Sequence, residues 1–148
     1  KDDINVTGIP SQKLDGTGAV FLIDSGKTGS TAPMVSIFME KMKSEGFRKM
    51  ISTQFIKHTN LCVDSFLNGD VKNLFDNTKK LSKIVLDNFK PMIPDEFHDL
   101  WKKGIDSGSY FLKLCGSGGG GYILGFTPNI EQAKNDLKDY NLEVVYHF

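Results

Sequence analysis

The chain has 148 residues, 39% of them apolar, with 18 basic and 18 acidic side chains. That is enough for one domain with its own core. Balanced charge argues against nucleic acid as the main partner, because a nucleic-acid footprint is a basic patch. Arg48 is the one arginine, so bidentate guanidinium clamps on phosphate are almost excluded.

In chain order, residues 1–18 read as an irregular lead-in, polar and carrying Gly8-Ile9-Pro10. Ala19–Ile23 is a short apolar run, expected as a buried strand. The polar turn Asp24-Ser25-Gly26-Lys27-Thr28-Gly29-Ser30-Thr31 then opens a helix, with Ser30 or Thr31 as N-cap and Pro33 in the first turn. Val35, Phe38, Met39 and Met42 share one face of that helix, and Gly46 is expected to end it. A second helix is predicted over about 48–66, with Ile51, Phe55, Val63 and Phe66 at helical spacing. Asn68-Gly69-Asp70 breaks it, and Asp70 caps a third helix carrying Leu74, Thr78, Leu81, Val85 and Phe89. Pro91 and Pro94 mark a turn. Phe97, Leu100, Trp101 and Ile105 give a short fourth helix.

Tyr110–Cys115 and Tyr122–Phe126 are two apolar runs around Gly116-Ser117-Gly118-Gly119-Gly120-Gly121, which reads as strand, glycine loop, strand. An ordinary hairpin needs about two turn residues. The additional glycines therefore need another reason: positive φ, close approach of a second backbone, or clustered N–H groups that suit an anion. Asn129 with Gln132 resembles a capping box for a last helix carrying Ile130, Ala133, Leu137 and Tyr140. Leu142–His147 closes as a strand.

The order is β-α-β-β-α-β with extra helices in the first crossover. It predicts an α+β, ferredoxin-like split βαβ fold whose antiparallel sheet carries helices on one face. The N-terminus of the first helix, with Ser25, Thr28, Ser30 and Thr31 nearby, suits either simple capping or an anion. Gly26-Lys27-Thr28 is not a P-loop, because Phe21 stands where the first glycine would be. Asp24 is a possible base. His58, His98 and His147 are far apart and show no metal spacing. Cys62 and Cys115 form neither a disulfide framework nor a zinc pattern and are expected as small buried residues. The methionines Met34, Met39, Met42 and Met50 read as core filling. No apolar run approaches the length of a membrane span. Reduced thiols and no visible signal peptide point to the cytoplasm. The chain starts at Lys1 rather than at methionine and is taken as a piece of a longer protein.

Two of these segments resemble the GHMP small-molecule kinases. Lys113-Leu114-Cys115-Gly116-Ser117-Gly118-Gly119-Gly120-Gly121 looks like that family's third motif in its mevalonate-kinase form. Leu22–Val35 looks like its strand-loop-helix segment, with Thr31 on the active-site threonine. Gly29 departs from the basic residue that many mevalonate kinases carry there, so that side-chain contact is missing.

The resemblance implies that residues 19–148 are a GHMP C-terminal domain and that the chain contains no catalytic residue or metal ligand of its own. It implies substrate or phosphate contacts at Thr31, Ser30 and Asp24, and a loop at Gly116–Gly121 that packs against the nucleotide-phosphate loop of an N-terminal domain, with Ser117 nearby. ATP and magnesium would bind the longer parent. The partners would be its N-terminal kinase domain and a small substrate, mevalonate first. This chain alone would be inactive and open to self-association. A heptose-, fucose- or galactose-type sugar kinase of the same superfamily is one alternative. A non-catalytic ferredoxin-like binding module is another.

Overall fold

The computed structural model describes residues 8–148. Four strands, β1 (Ala19–Asp24), β2 (Phe111–Leu114), β3 (Tyr122–Thr127) and β4 (Leu142–His147), form one sheet in the order β2-β3-β1-β4. Every neighbouring pair is antiparallel. The crossover from β1 to β2 carries α1 (Thr31–Lys41), α2 (Glu45–Met50), α3 (Ile56–Leu67), α4 (Val71–Asn88) and α5 (His98–Ser107). A single helix, α6 (Ile130–Asp136), joins β3 to β4. This is the split βαβ arrangement with added helices in the first crossover.

Pleating sorts the central strand. Ala19, Phe21 and Ile23 are fully buried and join Trp101, Ile105, Ala133 and Leu137 in the main core. Gly125 lies opposite Phe21, and a β-carbon there would overlap the Phe21 ring, so the aromatic is seated on bare backbone. Val20 shares the other face with its register partners Phe126 and Tyr146. Helices were expected on one face only. The structure also places α3 across this second face, where Phe66 meets Tyr146 edge-on at 5.1 Å between ring centroids.

The helix boundaries follow their caps. Asp70 accepts the N–H of Asn73 and starts α4, whose Leu74, Thr78, Leu81 and Val85 are buried as the spacing predicts. Gly108, at φ 72°, ends α5 in the left-handed conformation. Asn129 accepts the N–H of Gln132, but the Gln132 side chain turns to Asp136, so half of the expected capping box forms.

Several expectations are corrected. Gly46 does not end the first helix; it lies inside α2, which is capped by Ser44, whose hydroxyl accepts the N–H of Phe47. The helix expected over 48–66 is a composite. α2 runs into a π-helical turn (Ile51–Phe55), in which the Ile56 N–H reaches the Ile51 carbonyl, and continues as α3. The face expected to be buried on α1 is rotated: Met34, Ile37 and Phe38 pack on the core, while Val35 and Met39 are exposed. Val63 is exposed as well. Of the methionines, Met50 is buried and Met39 is not core filling. Cys115 is exposed rather than buried, because β2 ends one residue earlier and the chain leaves the sheet there.

Candidate functional site

The two segments singled out in the sequence meet at one end of the sheet. β1 and β3 are register partners down to Asp24 and Tyr122, so the loops that leave these residues start side by side. The Ser25 N–H donates to the Gly121 carbonyl at 2.9 Å, and the Gly121 N–H donates to the Lys27 carbonyl at 2.7 Å. A β-carbon on Gly120 would lie 2.7 Å from the Gly29 nitrogen. Two backbones therefore pass in direct contact, which is the close approach that the additional glycines imply.

The glycine loop is also wedged from behind. The Gly119 N–H donates to the Met92 carbonyl at 2.7 Å, and a β-carbon on Gly119 would meet the Met34 sulfur of α1 at 2.8 Å. One on Gly118 would lie 2.7 Å from the Met92 carbonyl oxygen. Gly116, Gly118, Gly119 and Gly121 all have φ between 62° and 82°, a region that side-chain-bearing residues rarely adopt. Ser117 is half-buried within this loop.

The first loop holds its own shape. The Asp24 carboxylate accepts the Gly26 N–H at 2.9 Å, and the buried Ser25 hydroxyl accepts the Lys27 N–H at 3.3 Å. Asp24, offered by the sequence as a possible base, thus has a structural use. Lys27 pairs with Glu96 at 2.9 Å, tying this loop to the turn before α5. Its amine is held above the ordinary lysine value by the Glu96 hydrogen bond and charge.

Ser30 and Thr31 are exposed where α1 begins. Ser30 sits at the N-cap in extended conformation, but its side chain makes no capping bond. The first turn of α1 contains no acidic residue. Its amide groups and the positive end of the helix dipole therefore face outward beside the glycine loop without a carboxylate to neutralise them.

Other reactive groups lie elsewhere. Burial pushes the Cys62 thiol up to about 11 and the Tyr110 hydroxyl up to about 12. The Tyr110 hydroxyl donates to the Leu100 carbonyl. His98 bonds the Lys90 and Ile93 carbonyls, and His58 lies beside Asn77. Among the described residues no group of three or more His, Cys, Asp or Glu side chains could hold a metal ion. No helix among them is long and apolar enough to cross a membrane.

Sequence reasoning missed Met92 and Glu96, which hold the two loops from behind; both lie outside the motifs, and only the Pro91 and Pro94 turn signal pointed near them. Met34 lies inside the Leu22–Val35 segment but was read only as core filling, whereas it wedges Gly119.

No protein-family model matches the chain, and no curated protein matches it. Solved structures do. Streptococcus pneumoniae phosphomevalonate kinase in complex with phosphomevalonate and AMPPNP superposes with a TM-score of 0.68 at 13% identity, over 94% of this chain and 41% of that one. A Lin0012 protein from Listeria innocua gives 0.68 at 15% identity, over 91% and 42%. A second structure of the Streptococcus pneumoniae phosphomevalonate kinase gives 0.63 at 14%, over 94% and 42%. The fold is GHMP-kinase-like. The chain spans about two fifths of the length of each of these proteins. At these identities the likeness establishes the GHMP-like architecture and leaves the chemistry to the site.

Proposed function

We propose that this chain is the C-terminal part of an ATP-dependent GHMP-type kinase that phosphorylates mevalonate. The observation that carries this reading is the backbone contact between the glycine loop and the loop entering α1. It joins the two segments that resemble mevalonate kinase into one surface. The likeness to a phosphomevalonate kinase adds a second acceptor, phosphomevalonate, from the same chemistry.

Phosphoryl transfer needs positioning and charge stabilisation more than covalent chemistry. In this reading ATP supplies the phosphoryl group, and the residues described here form the wall opposite its binding loop. Gly116–Gly121 would let that loop approach where a β-carbon would block it. The open first turn of α1 would stabilise phosphoryl oxygens through its amides and dipole. Thr31, at the start of that turn, would offer a hydroxyl to the substrate or the transferring phosphate, with Ser30 beside it. Asp24 would act indirectly, by fixing the turn at Gly26. Among the described residues no three His, Cys, Asp or Glu side chains come together, and no step here is assigned to the metal. Metal-holding groups and the catalytic acid and base would come from an N-terminal kinase domain, the proposed partner of this chain.

The test is ATP consumption by the protein that carries this chain together with its N-terminal domain. It should turn over with mevalonate or phosphomevalonate and fail with galactose, fucose, a heptose and homoserine. Turnover with a sugar alone would keep the kinase and overturn the acceptor.

A further inference from the structure

An apolar hollow lies behind the loops, beside β2 at the edge of the sheet. It measures about 290 Å³, the lower end of the range for small-molecule pockets. Phe38, Phe55, Ile56 and Phe89 supply its apolar walls, and Lys113 and Gly116 stand on the β2 side. The π-helical turn builds one wall: its wider winding ends at Phe55 and hands over to Ile56, and both line the hollow. Such turns inside α-helices occur frequently at functional sites. Lys113 is half-buried and pairs with no carboxylate among the described residues.

We infer that this hollow binds a small amphiphilic anion, with its hydrocarbon body among the phenylalanines and its carboxylate or phosphate on Lys113. Charge and size select this class. An uncharged hydrocarbon leaves the ammonium without a counter-ion in a half-buried position, and an inorganic anion leaves the apolar walls wet. The hollow is also connected to the glycine loop. Met92 lines it, and the Met92 carbonyl holds the Gly119 N–H. Gly116, on the same wall, opens the loop itself. Occupancy therefore reaches the loop through two of its residues. Binding by this hollow does not depend on the kinase reading.

The experiment is a titration of the 148-residue chain, followed by amide NMR, with octanoate and octyl phosphate against octanol and inorganic phosphate. Octanoate and octyl phosphate should saturate one site at least tenfold more tightly than octanol, shifting the Gly116 and Gly119 amides. Inorganic phosphate should not displace octanoate from this site, whatever it does at the outer surface of the loops. Lys113→Met should remove the preference for the anions while octanol binding is unchanged, and Lys113→Arg should restore it. Phe55→Ala, which strips the apolar wall, should weaken both anions and octanol. A stronger response to octanoate than to octyl phosphate, or the reverse, would identify the head group. Equal binding of octanol and octanoate, or a preference that survives Lys113→Met, would overturn the proposal. So would displacement of octanoate by inorganic phosphate.

Discussion

Gly29 and Gly120 touch through their main chains, and the contact is asymmetric. A β-carbon on Gly120 would fall 2.7 Å from the Gly29 nitrogen, whereas one on Gly29 would sit 3.3 Å from the Gly120 carbonyl carbon. Gly120→Ala should therefore push the loops apart, at a cost of about 1–3 kcal/mol by comparison with other overpacking changes. Gly29→Ala should be milder. Thermal or denaturant unfolding of both variants reads the difference, and equal losses would mean that the loops do not meet as described.

Gly119 combines positive φ with contact to Met34. Gly119→Val should lower turnover of the longer kinase by at least tenfold, because valine neither adopts φ 82° without strain nor clears Met34. Steady-state kinetics on the purified variant tests this. Near-normal kcat would remove the loop from the site.

Gly125 and Phe21 offer a test of the sheet. Gly125→Ala forces a methyl group into the Phe21 ring and should destabilise by about 1–3 kcal/mol. Adding Phe21→Leu makes room, so the double variant should lose less than the sum of the two single changes. Strict additivity in urea unfolding would contradict the register.

The two thiols should separate cleanly. Cys115 is exposed and should react promptly with a disulfide reagent at neutral pH, while half-buried Cys62 lags. Cys62 also carries a pH signature. Its folded thiol is held near 11 against an ordinary 9.0, so the folded chain keeps the proton longer than the unfolded one. Stability is then fully present below about pH 9 and falls as pH rises toward about 11. Tyr110 adds a similar loss between 10.0 and about 12. In Cys62→Ala the decline between pH 9 and 10 should flatten, as unfolding at stepped pH would show.

Much of this was legible in the sequence because it depends on local signals. Asp70 caps α4, Gly108 ends α5, and the glycine loop separates two β-forming runs, each by short-range chemistry. The meeting of the two loops also follows from β1 and β3 being neighbours in the split βαβ order. What was not legible depends on three-dimensional packing. The stripe Val35, Phe38, Met39 and Met42 has helical spacing, yet the aromatic group formed by Phe38, Phe47, Phe55 and Phe89 turns α1 so that Val35 and Met39 face outward. The π-helical turn has no sequence signature of its own. Met92 acts through a backbone carbonyl, and a carbonyl is the same for every residue type.

Whether this chain forms one wall of a kinase site is tested most directly by a coupled ATP-consumption assay. It should be run on the chain alone and on the chain joined to its N-terminal domain, with mevalonate and phosphomevalonate supplied separately. The expected result is no turnover by the chain alone and acceptor-dependent turnover by the joined protein, lowered at least tenfold by Gly119→Val. Turnover by the chain alone, or none by the joined protein with any acceptor, would contradict it.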